Sequence, residues 1–154
     1  MQPWRKGKQL LARCGQKMQR EQRILARHIH AQQLQLEQIQ QSKTQLKVLN
    51  DAVEAQHLVA VSVNKSALYQ QRRQQSVLLS EIQKLRVAHV EQAEQLATIE
   101  LSMGESRQVL AELTRQEMKF SRWTQLARKV HRARQALSDE NEIEEGIACQ
   151  SKFN

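Results

Sequence analysis

Counting every seventh residue from Leu11 gives Leu11, Met18, Leu25, Gln32, Ile39, Leu46, Val53 and Ala60, and only Gln32 is polar. Ile29, Leu36 and Leu49 stand three or four residues off this column and are expected to fill the other half of an apolar seam. A heptad pattern sustained over this length predicts a long helix that pairs with another by coiled-coil packing. Neither glycine nor proline interrupts it after Gly15.

The pattern dissolves over His57–Gln70, "HLVAVSVNKSALYQ". Val59, Val61 and Val63 alternate there, and β-branched side chains are mediocre in helices. Asn64 or Ser66 can cap a new helix, so the chain is predicted to reverse near residues 62–66. A second seam follows: Leu68, Leu78, Ile82, Leu85, Leu96, Ile99, Met103, Leu110 and Leu113, then Phe120, Trp123, Ala127, Val130 and Leu137. Gln75, His89 and Gln92 soften its middle, and polar seam positions of this kind lower stability while fixing register. Gly104 costs about 1 kcal/mol relative to alanine and offers a place to bend.

The fold class predicted is therefore all-α: two long helices forming an antiparallel coiled-coil hairpin over residues 1–138, with helix 1 at about 5–61 and helix 2 at about 66–138. Residues 139–154 are expected to be an acidic, flexible tail. Five carboxylates within seven residues, Asp139–Glu145, oppose the dipole of a helix C-terminus and favour a stop near Ser138.

Composition supports the helical reading. The 154 residues include four glycines, one proline and 3% aromatics, too few for a turn-rich fold with an aromatic core. The net charge is +8, which points to an acidic partner. Residues 1–30 carry eight Lys/Arg against Glu21 alone, residues 31–104 balance at seven and seven, and residues 105–134 carry eight against three. An antiparallel hairpin would bring the two basic segments side by side. The acidic tail is then expected to fold back near them when no partner is bound.

Catalytic patterns are missing. The glycines at 7, 15, 104 and 146 cannot build a phosphate-cradling loop. His28 and His30 fall on different helix faces and lack partners at metal-ligand spacing, so no metal or other cofactor is expected. Asp51 with Glu54, and Glu91 with Glu94, read as solvated face charges. Cys14 and Cys149 make no disulfide framework and suggest a reducing compartment; Cys14 falls on the first seam as a small apolar filler. The start, "MQPWRKGKQLLARCG", has too short an apolar run for a targeting segment, and no run approaches the about 20 residues of a membrane span. Trp4 and Trp123 are expected at the basic end, either packed there or serving as partner anchors.

With the hairpin laid out, the sequence resembles the small stalk proteins of bacterial type III secretion, the FliJ/YscO/InvI group, and most of all the InvI-like branch. The residues that carry the resemblance are Tyr69, Arg73, Gln75, Ser76 and Val77 after the turn, then Phe120, Arg122, Trp123, Arg128 and Lys129, and the Glu-rich "SDENEIEEG". The resemblance implies a non-enzymatic central stalk in the bacterial cytoplasm, at the cytoplasmic face of the secretion apparatus. It would insert in the pore of the hexameric secretion ATPase and link it to the cytosolic ring of the export gate. Some members of the group also escort secretion chaperones. Partner-binding residues expected at the basic end are Arg5, Lys6, Arg115, Lys119, Arg122, Trp123, Arg128 and Lys129, with Tyr69 and Arg73 as a second contact. Neither nucleic acid nor direct membrane insertion belongs to this reading. The alternatives are a basic coiled-coil nucleic-acid binder, marked by steeply salt-dependent DNA binding, and a structural scaffold that homodimerises.

Overall fold

A computed structural model of the chain describes residues 3–58 and 64–151. It contains two helices, α1 (Pro3–Leu58, 56 residues) and α2 (Lys65–Ser151, 87 residues), packed antiparallel as an all-α hairpin. Residues 59–63, with the first two residues of the predicted turn and the expected end of helix 1 at 61, lie outside the described residues. Of the two capping candidates, Asn64 directly precedes α2 and Ser66 lies inside it. The Asn64 carbonyl accepts the Leu68 N–H at 3.0 Å, and its Oδ1 accepts the Lys65 N–H at 3.1 Å.

The contacts fall into two compact units, one of Met1–Arg23 with Arg107–Asn154 and one of Ile24–Ser106. In the first, Cys14 is buried and its Sγ–H donates to the Leu113 carbonyl at 3.3 Å. Gly7 is buried against Thr124 and Trp123. In the second, a polar layer crosses the seam. The Gln35 amide donates to the Gln92 carbonyl (3.2 Å) and to Gln95 Oε1 (3.1 Å), and Ser42 Oγ donates to Gln92 Oε1 (3.1 Å). Near the start of α2, the Gln71 amide reaches the Gln56 carbonyl at 2.9 Å.

These contacts define the half of the seam that the apolar pattern misplaces. The column beside Leu11–Met18–Leu25 runs Gly7, Cys14, Glu21, His28, Gln35, Ser42, Leu49 and Gln56, every one buried or half-buried. Leu49 belongs to it as expected, but Ile29 (36% exposed) and Leu36 (47%) face outward. The reason is geometric: small side chains let the two backbones approach, and Gln35 and Ser42 are satisfied by hydrogen bonds to α2, whereas Gln56 Oε1 is buried without a partner. In α2 the columns are Gln71, Leu78, Leu85, Gln92, Ile99, Ser106, Leu113, Phe120, Ala127 and Ile82, His89, Leu96, Met103, Leu110, Glu117, Thr124, His131. Leu68, Trp123, Val130 and Leu137, expected in the seam, are exposed; Thr124 holds the position next to Trp123.

Two further expectations change. Gly104 produces no break: α2 runs through it, and no residue among those described has positive φ. The helix also does not stop at Ser138. It continues through the acidic segment to Ser151. The helix dipole acts mainly in the last turn. With the end at Ser151, the carboxylates of Asp139–Glu145 sit inside the helix, where Glu, Ala and Leu favour continuation.

The glycines give a test of the close approach. A Cβ at Gly7 would overlap Thr124 Oγ1 and come within 3.1 Å of both Thr124 Cβ and Trp123 Cζ3, whereas at Gly15 and Gly104 it would meet nothing within 4 Å. Overpacking of about 1–3 kcal/mol outweighs the intrinsic helix gain of up to about 1 kcal/mol at Gly7. Thermal unfolding should therefore show Gly7→Ala destabilised by about 1 kcal/mol and Gly104→Ala stabilised by about 0.5–1 kcal/mol.

Candidate partner-binding surface

The unit of Met1–Arg23 with Arg107–Asn154 gathers cations from both ends of the sequence onto one indole. Lys8 Nζ lies 5.0 Å, Arg128 Cζ 5.4 Å and Arg5 Cζ 5.5 Å from the centroid of the Trp4 ring. The negative face of an aromatic ring attracts such charges without neutralising them. Trp4 Nε1 is itself buried and has no hydrogen-bond partner. An open cleft beside it is lined by Trp4, Arg128, His131, Arg132 and Gln135. A neighbouring cleft is lined by Pro3, Trp123, Leu126, Ala127, Val130, His131 and Arg134.

Helix periodicity sorts the expected residues into two sets. Arg115, Lys119, Arg122 and Lys129 follow spacings of four, three and seven, so they share the face of α2 that points away from Leu113, Thr124 and Ala127. All four are exposed. Arg128 lies on the flank and reaches Trp4 together with Arg5; Lys6 is exposed nearby in sequence. Trp123 is 42% exposed at the edge of the seam. Among the described residues the one ion pair is Arg115 with Glu112, at 3.9 Å between exposed side chains, so the other cations of both sets have no carboxylate within bridging distance. Lys8 and Arg132 were not singled out by sequence reasoning. Arg132 was legible as the residue one turn after Arg128; Lys8 needed the position of Trp4.

Tyr69 and Arg73 belong to the other unit. Both are exposed and line a groove with Lys65, Ser66, Gln70, Arg72 and Ser76. Tyr69 is 63% exposed, so its ring is available to a partner rather than packed.

No group of His, Cys, Asp or Glu among the described residues is arranged to hold a metal ion. Both cysteines are free, Cys14 buried and Cys149 exposed. No helix among the described residues is long and apolar enough to cross a membrane.

Fold and surface together define a coiled-coil hairpin that presents unpaired cations and a half-covered tryptophan. Over residues 5–147 the chain matches the family model of the Salmonella surface presentation of antigen gene type M protein. It belongs to that family, a family of type III secretion accessory proteins not known as enzymes. The match includes both cation sets but begins one residue after Trp4. Neither curated proteins nor solved structures gave a match to the chain.

Proposed function

We propose that this chain is the non-enzymatic central stalk of a type III secretion system, of the InvI-like branch, linking the hexameric secretion ATPase to the cytosolic ring of the export gate. In this reading it works at the cytoplasmic face of the apparatus, where it stimulates or coordinates export and hands on secretion chaperones. The observation that carries the proposal is the convergence of Arg5, Lys8 and Arg128 on Trp4, beside an outer stripe of Arg115, Lys119, Arg122 and Lys129. Exposed cations without carboxylate partners suit fast, reversible docking on an acidic protein ring, where charge complementarity sets encounter rate and orientation more than affinity. A paired-helix coiled coil also transmits position or torsion, which a loose chain does not. Family membership over 5–147 supports the same reading.

Tyr69 and Arg73 serve in this proposal as the contact to the second partner. They lie in a different unit from the cationic surface, so two partners need not compete for one set of residues. The test is to add the protein to its cognate secretion ATPase and follow phosphate release. Hydrolysis should rise and saturate with added protein. No stimulation of an ATPase shown to be active on its own would overturn the proposal.

A further inference from the structure

Cations gather on Trp4 with nothing to neutralise them. Three positive groups, from Arg5, Lys8 and Arg128, lie within 5.5 Å of the centroid of its ring. The ring attracts each of them but cancels no charge, and the three repel one another. Arg132 adds a fourth charge. Arg128, His131, Arg132 and Gln135 follow steps of three, one and three, so they share one face of α2, and together with Trp4 they line one cleft. The nearest carboxylate on that face is Asp139, seven residues past Arg132 or about 10 Å along the axis. On α1 the first acid is Glu21.

The donors here also lack acceptors. Trp4 Nε1 is buried without a hydrogen-bond partner, whereas a buried indole N–H ordinarily finds one. None of the Arg5, Lys8, Arg128, His131, Arg132 and Gln135 side chains makes a hydrogen bond or an ion pair among the described residues. Positive charge and unused N–H groups from both helices therefore converge where no oxygen of the chain answers them.

We propose that this cleft is an oxyanion site and that its ligand is a diphosphate group. The count of charges selects the ligand. A single carboxylate engages one guanidinium fork, and four cations with a neutral N–H exceed it. A diphosphate offers oxygens on two phosphorus atoms. The forks of Arg128 and Arg132, one turn apart, each hold one phosphate, while Arg5 and Lys8 add charge from α1 and the Trp4 N–H donates to an oxygen. Cations already lie over the indole ring, so a nucleotide base gains no stacking there. Free pyrophosphate and the diphosphate end of a nucleotide are then equivalent ligands. The site shares Arg5, Lys8 and Arg128 with the surface proposed to dock on an acidic ring, so the two would compete. The inference does not rest on that docking, since it concerns the chain alone.

The test is nuclear magnetic resonance of the isotope-labelled full chain titrated with sodium pyrophosphate, with the two indole N–H signals assigned by Trp123→Phe. The Trp4 indole proton should move downfield and saturate, with half-saturation below about 1 mM at low salt. Calorimetry should give ADP an affinity within about threefold of pyrophosphate, and adenosine none. Arg128→Gln/Arg132→Gln should weaken binding about tenfold or more. Trp4→Phe keeps an aromatic ring but loses the N–H, and should weaken it about fivefold. Lys84→Gln/Arg86→Gln removes the same charge from exposed positions in the other unit, and should leave it unchanged within about twofold. Circular dichroism should show all variants as helical as the wild type. A Trp4 signal that does not respond overturns the proposal. Equal weakening by the two double variants does so too, since net charge alone would then explain the binding. ADP bound more than about tenfold tighter than pyrophosphate overturns the assignment to the diphosphate group. A hexaglutamate peptide that moves the Trp4 signal where pyrophosphate does not would give the cleft to carboxylates instead.

Discussion

Replacing Met103 by alanine is expected to cost about 2 kcal/mol of unfolding free energy, whereas the same replacement at Leu36 should change it by less than about 0.5 kcal/mol. Met103 and Ile82 are each 4% exposed and are among the most buried apolar side chains of the chain; Leu36 is 47% exposed. Buried Met or Ile to Ala changes span about 2–5 kcal/mol, and a seam between two helices falls at the low end because it can close partly around the gap. The shift should appear as a midpoint lowered by roughly 4–8 °C. Urea unfolding followed by circular dichroism measures both variants, and the slope with denaturant should stay unchanged. Equal losses at Leu36 and Met103 would mean that the seam of α1 is rotated toward the apolar residues the sequence favours.

The second large effect concerns the outer stripe. Arg115→Glu/Lys119→Glu/Arg122→Glu should raise the concentration needed for half-maximal ATPase stimulation by more than about tenfold, because three attractive contacts become repulsive. All three side chains are exposed and outside the seam, so helicity and unfolding midpoint should hold. The ion pair lost with Arg115 joins two exposed side chains at 3.9 Å, and such a pair contributes little. Undiminished stimulation by this variant would remove the stripe from the ATPase contact and leave the Trp4 group as the remaining candidate.

One column of the α1 seam and the apolar positions of both α2 columns are easy to read in the sequence. Leu11, Met18, Leu25, Ile39 and Leu46 announce a heptad, and Leu78, Ile82, Leu85, Leu96, Ile99 and Met103 announce another. The companion column of α1 was hidden because hydrophobicity is the wrong signal for it. Gly7, Cys14, Gln35 and Ser42 are buried for their small size or for their hydrogen bonds to α2, and neither can be judged until the facing residue is known. Ile29 and Leu36, one position further along the helix, took their place in an apolar reading. The same substitution of appearance for position occurred at Thr124 and Trp123, where the larger apolar residue is the more exposed.

The cationic surface was legible as two remote basic runs, but its grouping was not. That Arg5 and Arg128 share an aromatic ring follows from register between helices, which one strand of sequence does not carry. Carboxylates near a helix end oppose its dipole, so the acidic segment points in sequence to a tail. The helix instead continues past them to Ser151, and the penalty falls away with distance from the terminus.

Antiparallel pairing that joins the two basic segments is the claim on which the surface depends, and a distance between spin labels at Arg20 and Arg107 tests it most directly. Both positions are exposed and belong to the same compact unit. With labelled chains diluted in unlabelled protein, the account predicts a separation below about 25 Å, set by helix axes ~8–10 Å apart plus the label arms. A single distance near 100 Å or beyond, as two helices extended end to end would give, would contradict it.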